Sequence, residues 1–271
     1  MRRKNTANVL WGLLTAAILL IFIFPFLWML LASFKTQAQI MSGELTLLFA
    51  PTGQNYLSVF QQYDFLRYIA NSMIVAVAST LLSLLIGLPA AYSIAKFRMH
   101  KLSVIILIAR IVPGISFLVP WYIIFSQLRL VDTYAALVLS HMLVGLPFIV
   151  WIMISFFESL PYEVEEAGLM DGCTPHHVFC RIALPMSVPG IVTSSLLSFI
   201  FSWNNFMFSI ILAGDKTKTL PIAVFNFMSY AEINWGGLMA AACIITLPVL
   251  AIALMAQRYV ISGLSAGAVK G

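Results

Sequence analysis

Six stretches of this chain, residues 9–32, 70–95, 102–126, 134–157, 190–212 and 236–256, are long and almost wholly apolar. Crossing about 30 Å of hydrocarbon takes roughly 20 apolar residues wound as a helix. Lipid offers no hydrogen bonds, so a spanning segment must satisfy its own backbone, and a helix does so. The expected fold is therefore all-α: a polytopic membrane protein with six transmembrane helices. Hydrophobic residues make up 61% of the chain and charged residues 9%, with a mean hydropathy of +0.98. Soluble domains run at roughly 45–50% and 25%, so a large soluble core is excluded. With no linker, low-complexity tract or repeat, one transmembrane domain over 1–271 is expected, carrying a polar loop at 158–189.

The net charge is +5. The cations flank the apolar stretches and form no basic–aromatic stripe, so they read as orientation signals and not as nucleic-acid contacts. One side of the bilayer holds Arg2, Arg3, Lys4, Lys96, Arg98, Lys101, Arg181, Arg258 and Lys270; the other holds Lys35, Arg67, Arg129, Lys216 and Lys218. Nine against five predicts both termini, and the loop containing Glu166, in the cytoplasm. Met1 to Lys4 followed by apolar residues resembles a signal peptide, but the run is too long, which predicts a retained first helix. Cys173, Cys180 and Cys243 make no disulfide framework and read as free thiols. Residues 55–60 and 65–68 read as short amphipathic pieces at the interface. Pro25, Pro89, Pro113, Pro120, Pro147 and Pro248 fall inside spans, where each removes a backbone donor and bends its helix. Tolerated kinks would give this pattern, as would helices bent around a cavity that opens to alternate sides.

The polar loop has its own architecture. Leu160-Pro161 ends the fourth span and residues 162–170 read as a short helix, with Glu163, Glu165 and Glu166 near its positive end. Val164, Ala167 and Gly168 share a small-residue face. Asp171-Gly172 ends the helix, and Thr174-Pro175 caps and starts another that runs through Ile182 and Leu184 to Pro185. A helix–turn–helix outside the bilayer, small-faced and acid-flanked, suits close approach by another protein. The glutamates lack the partners that a metal site or an acid–base pair would need, and His176-His177 point to different faces, so neither a metal site nor a catalytic residue is expected.

Glu166-Ala167-Gly168, three residues, Gly172, nine residues, then Ile182-Ala183-Leu184-Pro185 resembles the EAA loop of the inner-membrane subunits of ABC importers, with Gly168 where that family usually has Ala. Further similarity runs through Asn71-Ser72, Pro89-Ala90-Ala91-Tyr92, Asp132-Thr133, Leu146-Pro147-Phe148 and 201–206. The end, from Gln257 to Gly271, resembles the MalG type of the carbohydrate-uptake branch. The resemblance implies a type I ABC importer permease fold. It also implies a second permease subunit, two cytoplasmic ATPase subunits, an extracytoplasmic sugar-binding protein and a bacterial inner-membrane location. Glu163, Glu166, Ala167, Gly168, Asp171, Gly172, Leu184 and Pro185 would then couple to the ATPases, which alone would use ATP and Mg. The chain has no Gly-x4-Gly-Lys-Ser/Thr loop and is expected to bind no cofactor.

Polar groups inside spans are candidates for the solute path: Arg110 in the third, His141 in the fourth, and Trp203, Asn204 and Asn205 in the fifth. Amides beside an indole suit a sugar; interhelical hydrogen bonding suits them too. A self-sufficient secondary transporter is the main rival, but all ten acids lie outside the spans, which counts against ion coupling. Glycerol phosphate, a polyol or another small polar solute are nearer alternatives.

Overall fold

The structure, a computed structural model, describes residues 2–42, 47–62, 64–228 and 233–268, the side chains of 2–10, 62, 109, 110, 226 and 258–268 excepted. Among the described residues the regular structure is helical, with one isolated bridge between Met228 and Ile233. In chain order the helices are α1 (Arg2–Ser33), α2 (Gln37–Met41), α3 (Gln54–Gln62), α4 (Phe65–Lys96), α5 (His100–Ile111), α6 (Leu118–Gln127) and α7 (Tyr134–Glu158). There follow α8 (Tyr162–Met170), α9 (Pro175–Met186), α10 (Val188–Trp203), α11 (Met207–Leu212), α12 (Leu220–Ala223) and α13 (Trp235–Ala268). The chain is an all-α polytopic membrane protein.

Four described helices are long and apolar enough to cross a membrane unaided: Trp11–Ser33 within α1, α4, α7, and Trp235–Gln257 within α13. The other two expected spans are interrupted. The third breaks between α5 and α6, where Val112 turns extended (φ −63°, ψ 121°) ahead of Pro113 and a 3-10 turn, Gly114–Phe117, follows. Proline forces this on the residue before it and has no N–H to offer. The fifth breaks after Trp203, where the Asn205 side-chain carbonyl takes the N–H of Phe208 at 3.1 Å and so competes with the helix ladder. Pro120 falls in the first turn of α6, where a helix has no N–H partner to lose, and the remaining four expected kinks, at Pro25, Pro89, Pro147 and Pro248, stay inside continuous helices. Residues 65–68 are the first turn of α4 and not a separate interfacial piece; Gln54–Gln62 is a separate short helix as expected.

Two compact units compose the chain: Met1–Phe65 with Val224–Leu247, and Leu66–Ala223 with Pro248–Gly271. In the first, Asn55 donates to the carbonyls of Ser33 and Lys35, both at 2.8 Å, and Tyr56 bonds the Ser33 hydroxyl at 2.8 Å. Gln37 donates to Ile233 O at 2.7 Å and accepts from Trp235 N at 3.0 Å, tying the foot of α13. The second unit packs α4, α7 and α10 together around Ala91, Ile149, Met153 and Ala183 at one end and Val75, Leu137, Phe125 and Phe208 at the other.

Along the middle of that unit, small residues and one histidine face one another at four-residue spacing: Ser79 and Ser83 on α4, His141 and Gly145 on α7, Ser198 and Ser202 on α10, all buried. The Ser202 hydroxyl bonds His141 Nδ1 at 2.7 Å and the Ser79 hydroxyl at 3.0 Å. Between helices in lipid, close approach of small residues and hydrogen bonds across the seam supply association that hydrophobic burial cannot.

Candidate functional site

Among the described residues of the second unit, three places besides the seam carry polar groups in ordered arrangements: the α8–α9 pair, a cavity at the two helix breaks, and a loop clamp at the opposite end of α4.

The helix pair forms as its residues dictate. Helix α8 closes with Gly172 at φ +87°, where the N–H of Gly172 donates to Leu169 O and that of Cys173 to Gly168 O, both at 3.0 Å. This is the paired closure that a left-handed residue permits, and glycine reaches it at least cost. One residue later Thr174 accepts from His177 N at 3.3 Å and Pro175 begins α9. Helix α9 contains a π turn, Phe179–Ala183, and bends 76° at Ser187 into α10.

The expected small-residue face divides. Gly168 is buried against α9: a Cβ there would stand 2.6 Å from Ile182 Cδ1 and 3.5 Å from Val178 Cγ2. Ala167, Val164, Glu163 and Glu166 lie exposed on the rest of the helix, beside Met170 at 88% exposure, and Asp171 is exposed at its end. Leu184 is half-buried and Pro185 exposed, just before the bend.

Glu165 does not share the exposure of Glu163 and Glu166. It is buried at 5% exposure and forms an ion pair with Lys96, the last residue of α4, while the Tyr92 hydroxyl donates to the same carboxylate oxygen at 3.2 Å. Tyr92 packs edge-on to Phe157 at 5.4 Å and against Phe179 at 4.9 Å. The Lys96 ammonium sits over the Tyr162 ring at 4.8 Å. Glu165 precedes Gly168 by three residues and so shares its face; that spacing was the available signal for its burial.

The cavity, about 780 Å³, lies where both interrupted spans are open. Pro113, Gly114 and Phe117 line it from the third span, Leu143 and Pro147 from α7, and Phe201, Asn204 and Phe206 from the fifth. Irregular backbone at membrane depth is tolerated where it faces protein or a cavity, and here both breaks do. Asn204 is exposed, and its amide donates to Ile200 O at 3.0 Å. Asn205 also reaches the wall but is 8% exposed and spends its carbonyl on Phe208 N. Trp203 points away: it is 1% exposed and stacked on Phe199 at 5.8 Å. His141 is likewise interior, held in the Ser202 seam. Arg110 is the penultimate residue of α5, beside the break; its side chain lies outside the described residues.

The clamp joins the start of α4 to the loop after α11. Asn71 donates to the carbonyls of Lys216 (3.1 Å) and Lys218 (2.9 Å) and accepts from Tyr134 (2.7 Å), and Ser72 accepts from Leu220 N (2.7 Å). Asp132, at φ +61°, accepts from the N–H groups of Gly214, Lys216 and Thr217 and from the Thr217 hydroxyl. Burial pushes its carboxyl upward. The Thr217 hydroxyl and the backbone donors of Lys216, Gly214 and Thr217 outweigh that and hold it below its usual value.

The family described as binding-protein-dependent transport system inner membrane component matches residues 83–265, a stretch holding the helix pair, the cavity and most of the seam. The chain belongs to this family. Among curated relatives, this inner membrane component is 35% identical over 269 residues to the probable ABC transporter permease protein y4oR of Sinorhizobium fredii, covering 98% of this chain and 97% of that one. It is 34% identical over 280 residues to the trehalose/maltose transport system permease protein MalG of Thermococcus litoralis, covering 100% of both. Among solved structures, a chain of a bacterial ABC transporter involved in the import of the acidic polysaccharide alginate shares its fold. That match has a TM-score of 0.80 over 96% of this chain and 98% of the other, at 20% identity. A transport-system inner membrane component with this fold is a permease, and the interrupted spans of this one are the part of it that opens on a cavity.

Proposed function

We propose that this chain is one of two permease subunits of an ATP-driven importer that takes up a carbohydrate handed over by an extracytoplasmic binding protein. The observation that carries the reading is that both interrupted spans open on one 780 Å³ cavity, a volume within the range of small-molecule sites. The carbohydrate follows from the relatives, since the permease named for trehalose and maltose aligns along the whole chain. Asn204 supplies hydrogen bonds to sugar hydroxyls, with Phe117, Phe201 and Phe206 as apolar walls. Arg110 precedes Ile111, which lines the same cavity.

The exposed surface of α8, with Glu163, Glu166, Ala167 and Asp171, seats in a cleft of one of two ATPase subunits. Gly168 and Gly172 set the shape of the pair behind it, and Leu184 and Pro185 carry α9 to its bend. ATP and Mg belong to the ATPases; this chain holds no cofactor and catalyses no reaction. Both termini and the helix pair face the cytoplasm of a bacterial inner membrane, following the cation bias. Closure of the ATPases moves the helix pair and turns the cavity outward, and hydrolysis returns it.

Co-reconstitution with the second permease, the ATPase subunits and the binding protein should give uptake of labelled trehalose or maltose that requires ATP. A cysteine replacing Glu166 should be labelled only from the side where ATP is hydrolysed. Uptake by this chain alone, or labelling from the opposite side, would overturn the reading.

A further inference from the structure

One acid of the helix pair is not on its exposed surface. Glu163 and Glu166 are exposed, whereas Glu165 is buried and its carboxylate meets Lys96 and Tyr92, both on α4. These partners are 69 and 73 residues away in sequence. The α8 helix is also held by its covalent link to α7 and by apolar packing of Gly168 on α9; both neighbours touch α4 through apolar contacts, Phe157 and Phe179 against Tyr92 at 5.4 and 4.9 Å, whereas the Glu165 carboxylate joins α8 to α4 directly. The pair is placed where each charge is favoured: Lys96 at the C-terminal end of a 32-residue helix and Glu165 in the first turn of another. Burial of the carboxylate reduces the solvent screening that makes surface ion pairs weak, and loss of the half-buried Lys96 leaves the buried Glu165 charge uncompensated.

Helix α4 is suited to pass a displacement on. It is continuous for about 48 Å at 1.5 Å per residue. At one end it holds Glu165; in its middle Ser79 and Ser83 lie in the seam with α7 and α10; at its other end Asn71 and Ser72 grip residues 216–220. Helices α7 and α10 both reach the cavity wall through Pro147, Ile200 and Phe201.

We propose that the Glu165–Lys96 pair, steadied by Tyr92, is the tie through which movement of α8 is delivered to α4 and thence to the cavity. Glu165 is a positioning residue and not an ATPase contact. This rests on the coupling role given to α8 under the proposed function. Tyr162 clasps the Lys96 ammonium from the start of α8 and keeps it aligned with Glu165. The tie contains no covalent or redox step; it transmits displacement because both of its ends belong to rigid helices.

The test uses the complete transporter in proteoliposomes, reading sugar taken up per ATP hydrolysed together with retention of the ATPase subunits during purification. Glu165→Gln should lower the uptake-to-hydrolysis ratio roughly tenfold, the size expected for one buried charge-assisted bond, with the ATPases retained. Lys96→Gln should do the same, and the double variant should be no worse than either alone. Tyr92→Phe, which keeps the packing, should lower the ratio about two- to threefold, the effect of one neutral hydrogen bond at the weak end. An unchanged ratio in Glu165→Gln and Tyr92→Phe, additive losses in the double variant, or loss of the ATPases from Glu165→Gln would overturn the tie. A Glu166→Arg control separates the two readings: if it leaves ATPase retention and uptake intact, the coupling role of α8 itself fails, whatever Glu165 shows.

Discussion

Ile182 Cδ1 lies 2.6 Å from where a Cβ would stand on Gly168, so the α8–α9 crossing is built around the absence of a side chain. The atom in the way is the tip of a flexible side chain. Gly168→Ala gains about 1 kcal/mol of helix propensity and loses about 0.5–1.5 kcal/mol if Ile182 leaves its preferred rotamer. Stability and uptake should therefore stay close to the parent's. Gly168→Leu cannot be absorbed this way and should cost about 1–3 kcal/mol by overpacking, splaying the pair and reducing uptake. Thermal unfolding of the purified transporter beside an uptake assay checks both; a harmless Gly168→Leu would disprove the close crossing.

Gly172 makes a different demand. A Cβ there meets nothing within 4 Å, but the backbone stands at φ +87°. Any substitution is strained by roughly 1–2 kcal/mol, whatever its size. Gly172→Val should insert normally, retain the other spans, and yet hydrolyse ATP with reduced transport. Equal uptake by Gly172→Val and the parent would remove this turn from the coupling path.

Asn204 and Trp203 are adjacent in sequence and face opposite surroundings, so their variants should fail differently. Asn204→Ala should lower the maximal uptake rate roughly tenfold, as for one lost hydrogen bond to solute, with stability nearly unchanged. Trp203→Ala should cost about 3–5 kcal/mol of stability by emptying its place against Phe199. A Trp203→Phe variant of parental uptake and an Asn204→Ala variant of reduced uptake would fit the cavity assignment; the reverse order would contradict it.

The Asp132 clamp predicts an acid limit. Its folded carboxyl ionises below the ordinary 3.8, so the stability it adds is fully present above that value. It is lost progressively as pH falls through the lower folded value. Exchange of the Thr217 amide, corrected for its intrinsic rate, should therefore be flat from pH 7 to about 5 and accelerate below about 4. Asp132→Asn keeps Oδ1 for three of the four donors and turns a donor toward Lys216 N, so it should loosen the loop modestly and abolish the pH step. A step of the same size in Asp132→Asn would assign it to another group.

Much of this protein is legible along the chain because lipid makes the reading strict. A run of twenty apolar residues has few ways to satisfy its backbone, so α1, α4, α7 and α13 follow from composition and length. The loop helices follow from Pro161, Gly172, Thr174 and Pro175, whose backbone preferences act within a few residues. Pro113 and Asn205 also act locally, yet whether a span kinks or breaks depends on what covers the freed groups: Pro89 and Pro147 stay within helices, while Pro113 opens one.

The sequence by itself determined four of the long helices, where the helix pair begins and ends, and the membership that its spacing announces, since these depend on neighbours within a turn or two; it did not show that the third and fifth spans are interrupted. The fold alone decided that Glu165 is buried on α4 while Glu166 is exposed, that Trp203 points into the core while Asn204 meets a cavity, and that Asp132 holds a loop more than eighty residues away. Adjacent residues on a helix point about 100° apart, so which of two neighbours meets protein, solvent or cavity is settled by the helices packed around them.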